Sequence, residues 1–246
     1  MAANRLDQLL VDLGHYETRA RARDAIKRGC VSVDGVVTSK PAASARPEQS
    51  ISIVDDAHQY VSRAALKLIA GLEYFDVDPH GRICLDIGAS TGGFSQVLLE
   101  RGATTVYAVD VGHGQLARSL QKIDKLISLE KLNARELEAG HLNHQKPELI
   151  VSDVSFISLK LAIPPALALA NKGAICILLV KPQFEVGRAM IGKNGLVAPD
   201  TAHGAAADLR NWLDGLPSWR SLGLIESPIK GGDGNMEFLL AGRKDG

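Results

Sequence analysis

Apolar positions recur at two different spacings along the chain, and the change of spacing divides it. Leu6, Leu9, Leu10 and Leu13 fall at helical intervals and predict a helix over 5–13, stopped by Gly14. Thr18 is a capping residue for a second helix that runs to about Arg28 and ends at Gly29. Val31–Val33 and Val36–Val37 flank Asp34-Gly35, a pair that accepts the positive φ angles of a tight hairpin. Residues 40–50, rich in Pro, Ala and Ser, predict a loop, followed by a short strand over 51–54. From about residue 60 helix and strand alternate. Helices are predicted over 62–74, 93–101, 114–121, 158–170 and 200–214, and strands over 83–86, 105–109, 126–129, 149–152 and 174–180. Two more strands, near 219–227 and 236–241, bring the second part to seven. The fold class is therefore α/β: a Rossmann-like, mainly parallel sheet covered on both faces, preceded by a small α+β module. The predicted boundaries are 1–56 for the module, 57–61 for a linker and 62–246 for the larger domain.

Composition narrows the function classes. The 246 residues carry 28 basic and 28 acidic side chains, 46% hydrophobic residues and 23% charged ones. Such a chain can bury a sizeable core and is not a polycation that coats nucleic acid through total charge. Five Phe, four Tyr and two Trp are too few for surfaces built on many stacking rings. Cys30, Cys84 and Cys176 form no CxxC pair and no metal spacing, which predicts a reducing compartment and no bound metal. The most apolar stretch, 161–180, is interrupted by Pro164-Pro165 and by Asn171-Lys172-Gly173 and cannot span a membrane. The N-terminal residues lack the apolar run of a signal peptide. A soluble cytoplasmic protein is the expectation.

Three segments carry candidate chemistry. Residues 85–94, Leu-Asp-Ile-Gly-Ala-Ser-Thr-Gly-Gly-Phe, follow a strand and open a helix, so small residues let the backbone approach a ligand. The next strand ends at Asp110, where an acid can accept hydrogen bonds from the two hydroxyls of an adenosine ribose. The glycines do not follow G-x-G-x-x-G, which disfavours a dinucleotide; S-adenosylmethionine has no pyrophosphate to seat and suits the open turn. The second segment is a dispersed set, Lys67, Asp153, Lys181 and Glu237. Asp153 and Lys181 each follow an apolar strand and should emerge at the carboxyl edge of the sheet. Glu237 begins the last strand, and an antiparallel last strand brings it to the same edge. Taken singly, each of the four reads as a helix-end or surface charge. The third segment, residues 19–28, has five basic residues against one acid, with Arg19, Arg23 and Lys27 on one helical face, a pattern suited to phosphates or simply to water.

Together these segments resemble the TlyA family, ribosomal RNA 2′-O-methyltransferases also labelled haemolysins. Arg5-Leu-Asp7, Thr18-Arg19 and Gly29 to Gly35 look like an S4 RNA-binding module. Residues 60–68, 85–94, 106–116, 152–157, 179–185 and 231–239 look like an FtsJ-type methyltransferase domain. The resemblance implies a Lys67, Asp153, Lys181, Glu237 catalytic set and S-adenosylmethionine as cofactor. The expected cofactor contacts are Asp86, Gly88, Ala89, Ser90, Gly92, Gly93, Phe94, Asp110, Val111, Asn133 and Asp153. Arg5, Arg19, Arg23, Lys27, Arg28 and Arg63 are the expected RNA contacts, the partner being ribosomal RNA or a ribosomal subunit. The chain departs from the family at Ala64-Ala65, with little effect on the chemistry, and at Ala198-Pro199-Asp200, which leaves open whether the loop 185–200 contacts substrate. The short N-terminus looks like the subgroup associated with cytidine in large-subunit rRNA alone.

The implied reaction moves a methyl group from a sulfonium to a ribose 2′-oxygen, so alignment and removal of the hydroxyl proton are what remain to be done. Lys181 is the expected base, since a lysine beside a second cation and partly removed from water can hold a lone pair at neutral pH. Lys67 would supply that cation, Asp153 would orient Lys181, and Glu237 would hold Lys67 or the ribose; the sequence leaves open which lysine is neutral. The competing readings are a dinucleotide-dependent oxidoreductase, a non-catalytic RNA-binding or ribosome assembly protein, and a pore-forming haemolysin.

Overall fold

The apolar spacing that divides the sequence also divides the fold. The computed structural model describes residues 4–245; residues 1–3 and 246, at the outer ends of the predicted domains, lie outside the described residues. The chain forms two compact units, one ending at His58 and one beginning at Gln59.

The first unit contains β1 (Asn4–Arg5), α1 (Leu6–Asp12), α2 (Arg19–Lys27), β2 (Val31–Val33), β3 (Val36–Val37), β4 (Ser44–Ala45) and β5 (Ile51–Ile53). Leu6, Leu9 and Leu10 of α1 meet Ala22, Ala25 and Ile26 of α2 and Val31 of β2 in one core. The Thr18 hydroxyl accepts the Arg21 N–H at 3.3 Å, the expected cap. Asp34 and Gly35 both take positive φ, 51° and 77°, and close the β2–β3 hairpin; β5 completes a three-stranded sheet. Within the segment predicted as a loop over 40–50, Ser44–Ala45 pairs with Asn4–Arg5, a two-residue ladder too short for any sequence period to reveal.

Asp7 lies fully buried under this ladder and is held by three guanidinium contacts. Arg5 Nε and Nη2 donate to its two oxygens at 3.0 Å each, and Arg19 Nη2 donates at 3.2 Å. The Arg5 hydrogen bonds, helped by Arg19 and opposed by burial, hold the carboxyl at about 2.

The second unit begins with α3 (Ala65–Tyr74) and continues β6 (Ile83–Ile87), α4 (Gly93–Glu100), β7 (Thr105–Asp110), β8 (Leu126–Glu130), β9 (Leu149–Ser152), α5 (Leu159–Ala162), α6 (Pro164–Leu169), β10 (Ile175–Val180), α7 (Pro182–Glu185), α8 (Pro199–Asp214), β11 (Trp219–Glu226) and β12 (Phe238–Lys244). Its sheet runs β11-β12-β10-β9-β6-β7-β8; β12 is antiparallel to β10 and β11, and the other pairings are parallel. Side chains of β10 alternate between two cores. Cys176, Leu178 and Val180 join α5, α6 and α8 on one face, while Ile177 and Leu179 join α3 and α4 on the other. The strand order reverses between β6 and β9, the point where open α/β sheets leave a crevice at their carboxyl ends.

Two predicted helices are corrected. No helix forms over 114–121. Leu116 and Leu120 instead lie over Gly92, where an added Cβ would stand 2.8 and 2.5 Å from their methyls, and Ala117 N–H donates to Thr91 O at 3.1 Å. Packing against the glycine turn takes the place of a regular helix, leaving only a local turn in which the Leu120 and Gln121 N–H groups donate to Ala117 O. The helix predicted over 158–170 is two short ones, because Pro164 and Pro165 have no N–H to extend α5 and open α6 instead.

The Asp7 carboxyl gives the first unit an acid dependence. Because its pKa is lowered by folding, the stabilisation is complete above the ordinary value near 3.8 and is lost as pH falls towards about 2. Protection of the α1 and α2 amides, measured against their intrinsic exchange rates, should therefore fall between these values in the wild type. In Asp7→Asn protection should be lower already at neutral pH and fall less across that window, the remaining fall coming from Asp55, whose pKa is also lowered.

Candidate active site

The turn after β6 is shaped by where it must pass. Gly88 takes φ 83°, and an added Cβ would stand 3.0 Å from the Asp153 carbonyl oxygen, so only glycine lets the β6 and β9 ends approach this closely. Ser90 and Gly112 then donate their backbone N–H groups to the two oxygens of Asp110, at 2.8 and 2.7 Å, which fixes the carboxylate at the end of β7. A cavity of about 500 Å³ is lined by Gly88, Ser90, Asp110, Val111, Leu132, Asn133, Asp153 and Ile157, among others. A smaller one of about 150 Å³ adjoins it, sharing Gly88, Ser90, Asp153 and Ser155 and adding Ala89, Gly93, Phe94 and Lys181.

The four dispersed charges come together as two lysine–carboxylate pairs. Lys67 Nζ donates to Glu237 Oε2 at 2.5 Å, with both side chains almost fully buried. Lys181 Nζ lies 2.6 Å from Asp153 Oδ1 and donates to Ser155 Oγ at 2.7 Å. Burial raises the Glu237 carboxyl above the usual range; Lys67 first, then Lys181, opposes that rise, and Asp153 adds to it. The two pairs thus act on each other.

Other expected contacts are placed differently. Asp86 lines neither cavity: it is buried beneath the turn, takes the Ser95 hydroxyl at 2.7 Å, and burial pushes its carboxyl up to about 7. Gly92 is likewise off both linings, covered by Leu116 and Leu120. Asn133 faces the larger cavity and caps the following turn through Arg135 N–H at 3.1 Å. In the first unit Arg5 and Arg19 are engaged with Asp7, and Arg28 with Asp24 and Asp55 at 2.8 and 2.9 Å, whereas Arg23 and Lys27 are exposed on α2. In the second unit the Arg63 guanidinium lies beside Gly232.

Sequence reasoning missed Ser155, Gln115 and Phe156. Gln115 lines the larger cavity and accepts the Ser90 hydroxyl at 3.2 Å. Phe156 is 90% exposed with φ 67°, an unusual conformation for a bulky residue, and its ring stands 5.2 Å from that of Phe184. The signal for Ser155 and Phe156 was their place in the loop directly after Asp153.

An FtsJ-like methyltransferase model matches residues 60–244, and an S4 domain model matches residues 4–51. The chain is 41% identical over 239 residues to the 16S/23S rRNA (cytidine-2′-O)-methyltransferase TlyA of Mycobacterium tuberculosis, covering 96% of this chain and 88% of that one. The chain belongs to the TlyA family. It is also 38% identical over 237 residues to Hemolysin A of Brachyspira hyodysenteriae, covering 96% of this chain and 98% of that one. With the 23S rRNA (cytidine-2′-O)-methyltransferase TlyA of Campylobacter jejuni it shares 42% identity over 186 residues, 73% of this chain and 69% of that one. As a TlyA member with an FtsJ-like domain, the chain is a methyltransferase. Among the described residues no helix is long and apolar enough to cross a membrane, and no group of three or more His, Cys, Asp or Glu is placed to hold a metal ion.

The buried pair makes a stability test possible. Glu237→Ala leaves the Lys67 ammonium buried without a counter-charge and should destabilise the second unit by about 3–5 kcal/mol. Replacing both partners in Lys67→Met/Glu237→Leu should recover most of that loss, as read by urea unfolding.

Proposed function

We propose that this chain transfers a methyl group from S-adenosylmethionine to the ribose 2′-oxygen of a cytidine in ribosomal RNA, with large-subunit rRNA as the substrate and the cytoplasm as the place of action. The observation that carries the reading is the pair of lysine–carboxylate contacts at the carboxyl edge, next to a cavity bounded by the fixed carboxylate of Asp110. The printed activities of the tuberculosis and Campylobacter relatives support rRNA cytidine, and the Campylobacter name supports the large subunit.

The cavity suits the cofactor chemically. Asp110 stands where a carboxylate can accept two ribose hydroxyls, Val111, Leu132 and Ile157 offer apolar flanks to a purine, and Asp153 offers a negative end to an amino acid moiety. Gly88 keeps the floor free of side chain. When bound, the cofactor supplies a methyl group already activated on a cationic sulfur. The chain's residues then have to place the acceptor and take its proton. Lys181 Nζ accepts the 2′-hydroxyl proton, held in direction by Asp153 and Ser155. Lys67, fixed by Glu237, supplies positive charge to the oxygen as its electron density rises. The exposed Phe156 ring, at the cavity mouth, gives the acceptor base a surface to stack on.

RNA capture belongs to the first unit in this reading. Arg23 and Lys27 on the exposed face of α2 contact phosphates, while Arg5, Arg19 and Arg28 shape that face through their carboxylate partners. The two compact units, one ending at His58 and one beginning at Gln59, support this reading of an RNA-binding module followed by a catalytic domain.

Two measurements test the proposal. Lys181→Ala should lower single-turnover methyl transfer to rRNA by about 10²–10⁴-fold while calorimetric affinity for S-adenosylmethionine changes little; undiminished turnover overturns the assignment. Mapping rRNA 2′-O-methylation in cells carrying wild type, Lys181→Ala or no copy names the nucleotide, and an identical map in all three overturns the activity. For the first unit, replacing Arg23 and Lys27 by Ala should weaken rRNA binding and reduce the slope of log K against log salt by about 1 per cation removed. An unchanged slope places the RNA elsewhere.

A further inference from the structure

The segment joining α7 to α8 leaves the carboxyl edge of the sheet and returns as a narrow strap. Ile191 and Val197 pair as an antiparallel bridge, Gly192 N–H donates to Leu196 O at 2.8 Å, and Asn194 and Gly195 turn the chain with φ 63° and 78°. Residues 192–196 are exposed, so little apolar burial fixes their position. A buried amide from a distant part of the chain ties the strap down. Asn235, only 2% exposed, accepts Val197 N–H on Oδ1 at 2.9 Å and donates through Nδ2 to Gly195 O at 2.9 Å and Asp233 Oδ2 at 3.0 Å. Both donors and the acceptor of the amide are used, so no hydrophobic or hydroxyl residue of similar size reproduces the set.

The same residue closes the turn that backs onto Glu237. Its carbonyl accepts Gly231 N–H at 2.9 Å and its own N–H donates to Asp233 Oδ1 at 3.1 Å. That turn presses on the carboxylate: a Cβ added at Gly231 would lie 2.7 Å from Glu237 Oε1. Asp233 in turn accepts Gln183 Nε2 at 3.1 Å, so the first turn after Lys181 is drawn into the same clasp. A displacement of the strap is therefore transmitted to both lysine–carboxylate pairs.

We infer that Asn235 is a positioning residue for methyl transfer, clamping the 191–197 strap to the 231–235 turn and thereby setting where the Glu237 carboxylate and the Lys67 ammonium stand relative to the acceptor ribose. The inference rests on the methyl-transfer reading above and adds a residue that touches neither cofactor nor acceptor.

The test compares wild type with Asn235→Ala, Asn235→Asp and the reciprocal double variant Asn235→Asp/Asp233→Asn. Asn235→Asp keeps an acceptor for Val197 but sets a carboxylate against that of Asp233, and the double variant restores a donor between them. Each protein is read for S-adenosylmethionine affinity, for single-turnover transfer at rising rRNA concentration, and for tryptic cleavage after Lys193 in the strap. Both single variants should keep cofactor affinity, be cut faster after Lys193, and lose on the order of 10²-fold in the rate at saturating rRNA, the double variant recovering part of it. Unchanged rates and cleavage overturn the inference. So do unfolding with loss of cofactor affinity, which makes Asn235 a residue of the fold, and a double variant no better than Asn235→Asp. A wild type that does not methylate rRNA, with Asn235→Ala still cut faster after Lys193, overturns the reading of the reaction and with it the role, while leaving the clamp.

Discussion

Strand β12 runs against every strand it pairs with, and the geometry of the site follows from that reversal. Inserted between β10 and β11, it begins where β10 ends, so the residue just before Phe238 stands at the carboxyl edge beside Lys181. A parallel β12 would put Glu237 at the opposite edge of the sheet. The reversal also buries it, because Phe238, Leu239, Leu240 and Ala241 fill both cores. A carboxylate carried into so apolar a setting needs a counter-charge, and α3 supplies Lys67 from the face that covers Ile177, Leu179 and Leu239. The pair is thus a consequence of strand direction and of helix packing together.

The acids of the glycine turn illustrate how position along a strand decides chemistry. Asp110 ends β7, lines the cavity and is held in place by two backbone N–H groups. Asp86 sits one layer lower, inside β6, where water is excluded and Ser95 is its hydrogen-bonding neighbour. Its carboxyl is pushed up to about 7, and the contact joins β6 to the first turn of α4. One acid is held ready for a ligand; the other braces the element that forms the ligand's floor.

What could be read from the sequence was what depends on local periodicity. The alternating burial of β10, the Thr18 cap and the Asp34-Gly35 hairpin all follow from residues within a few positions of one another. The convergence of Asp153, Lys181 and Glu237 was legible too, because strand ends and one assumed reversal suffice to place them; Lys67, on a helix, joined the set through the family resemblance alone. The failures have a common cause. Residues 114–121 have helical spacing, yet the Ala117 N–H goes to Thr91 and Leu116 and Leu120 pack over Gly92, partners more than twenty residues away. Ser155 and Asn235 are polar residues in loops, indistinguishable in sequence from solvated ones until the contacts with Lys181 and with the strap are seen.

Charge is the property most altered by folding. Residues 1–46 hold eight basic and five acidic side chains, a net of +3, which leaves −3 for the remainder of a neutral chain. Carried on to His58, where the first unit ends, Glu48, Asp55 and Asp56 bring its acids to eight and its net charge to zero, so its basic character is local and α2 is its most basic face. The geometry redistributes that charge. Arg5 and Arg19 converge on buried Asp7, and Arg28 is shared between Asp24 and Asp55, so half of the six proposed RNA contacts already have carboxylate partners. A paired guanidinium still contributes field, but its donors are committed and its reorientation towards a phosphate would expose a buried acid. Arg23 and Lys27 carry no such obligation in their exposed positions on α2, one helical turn apart. The electrostatic footprint of this unit is therefore narrower than its composition implies, and the salt dependence of RNA binding should reflect those two exposed cations more than the net charge of the module.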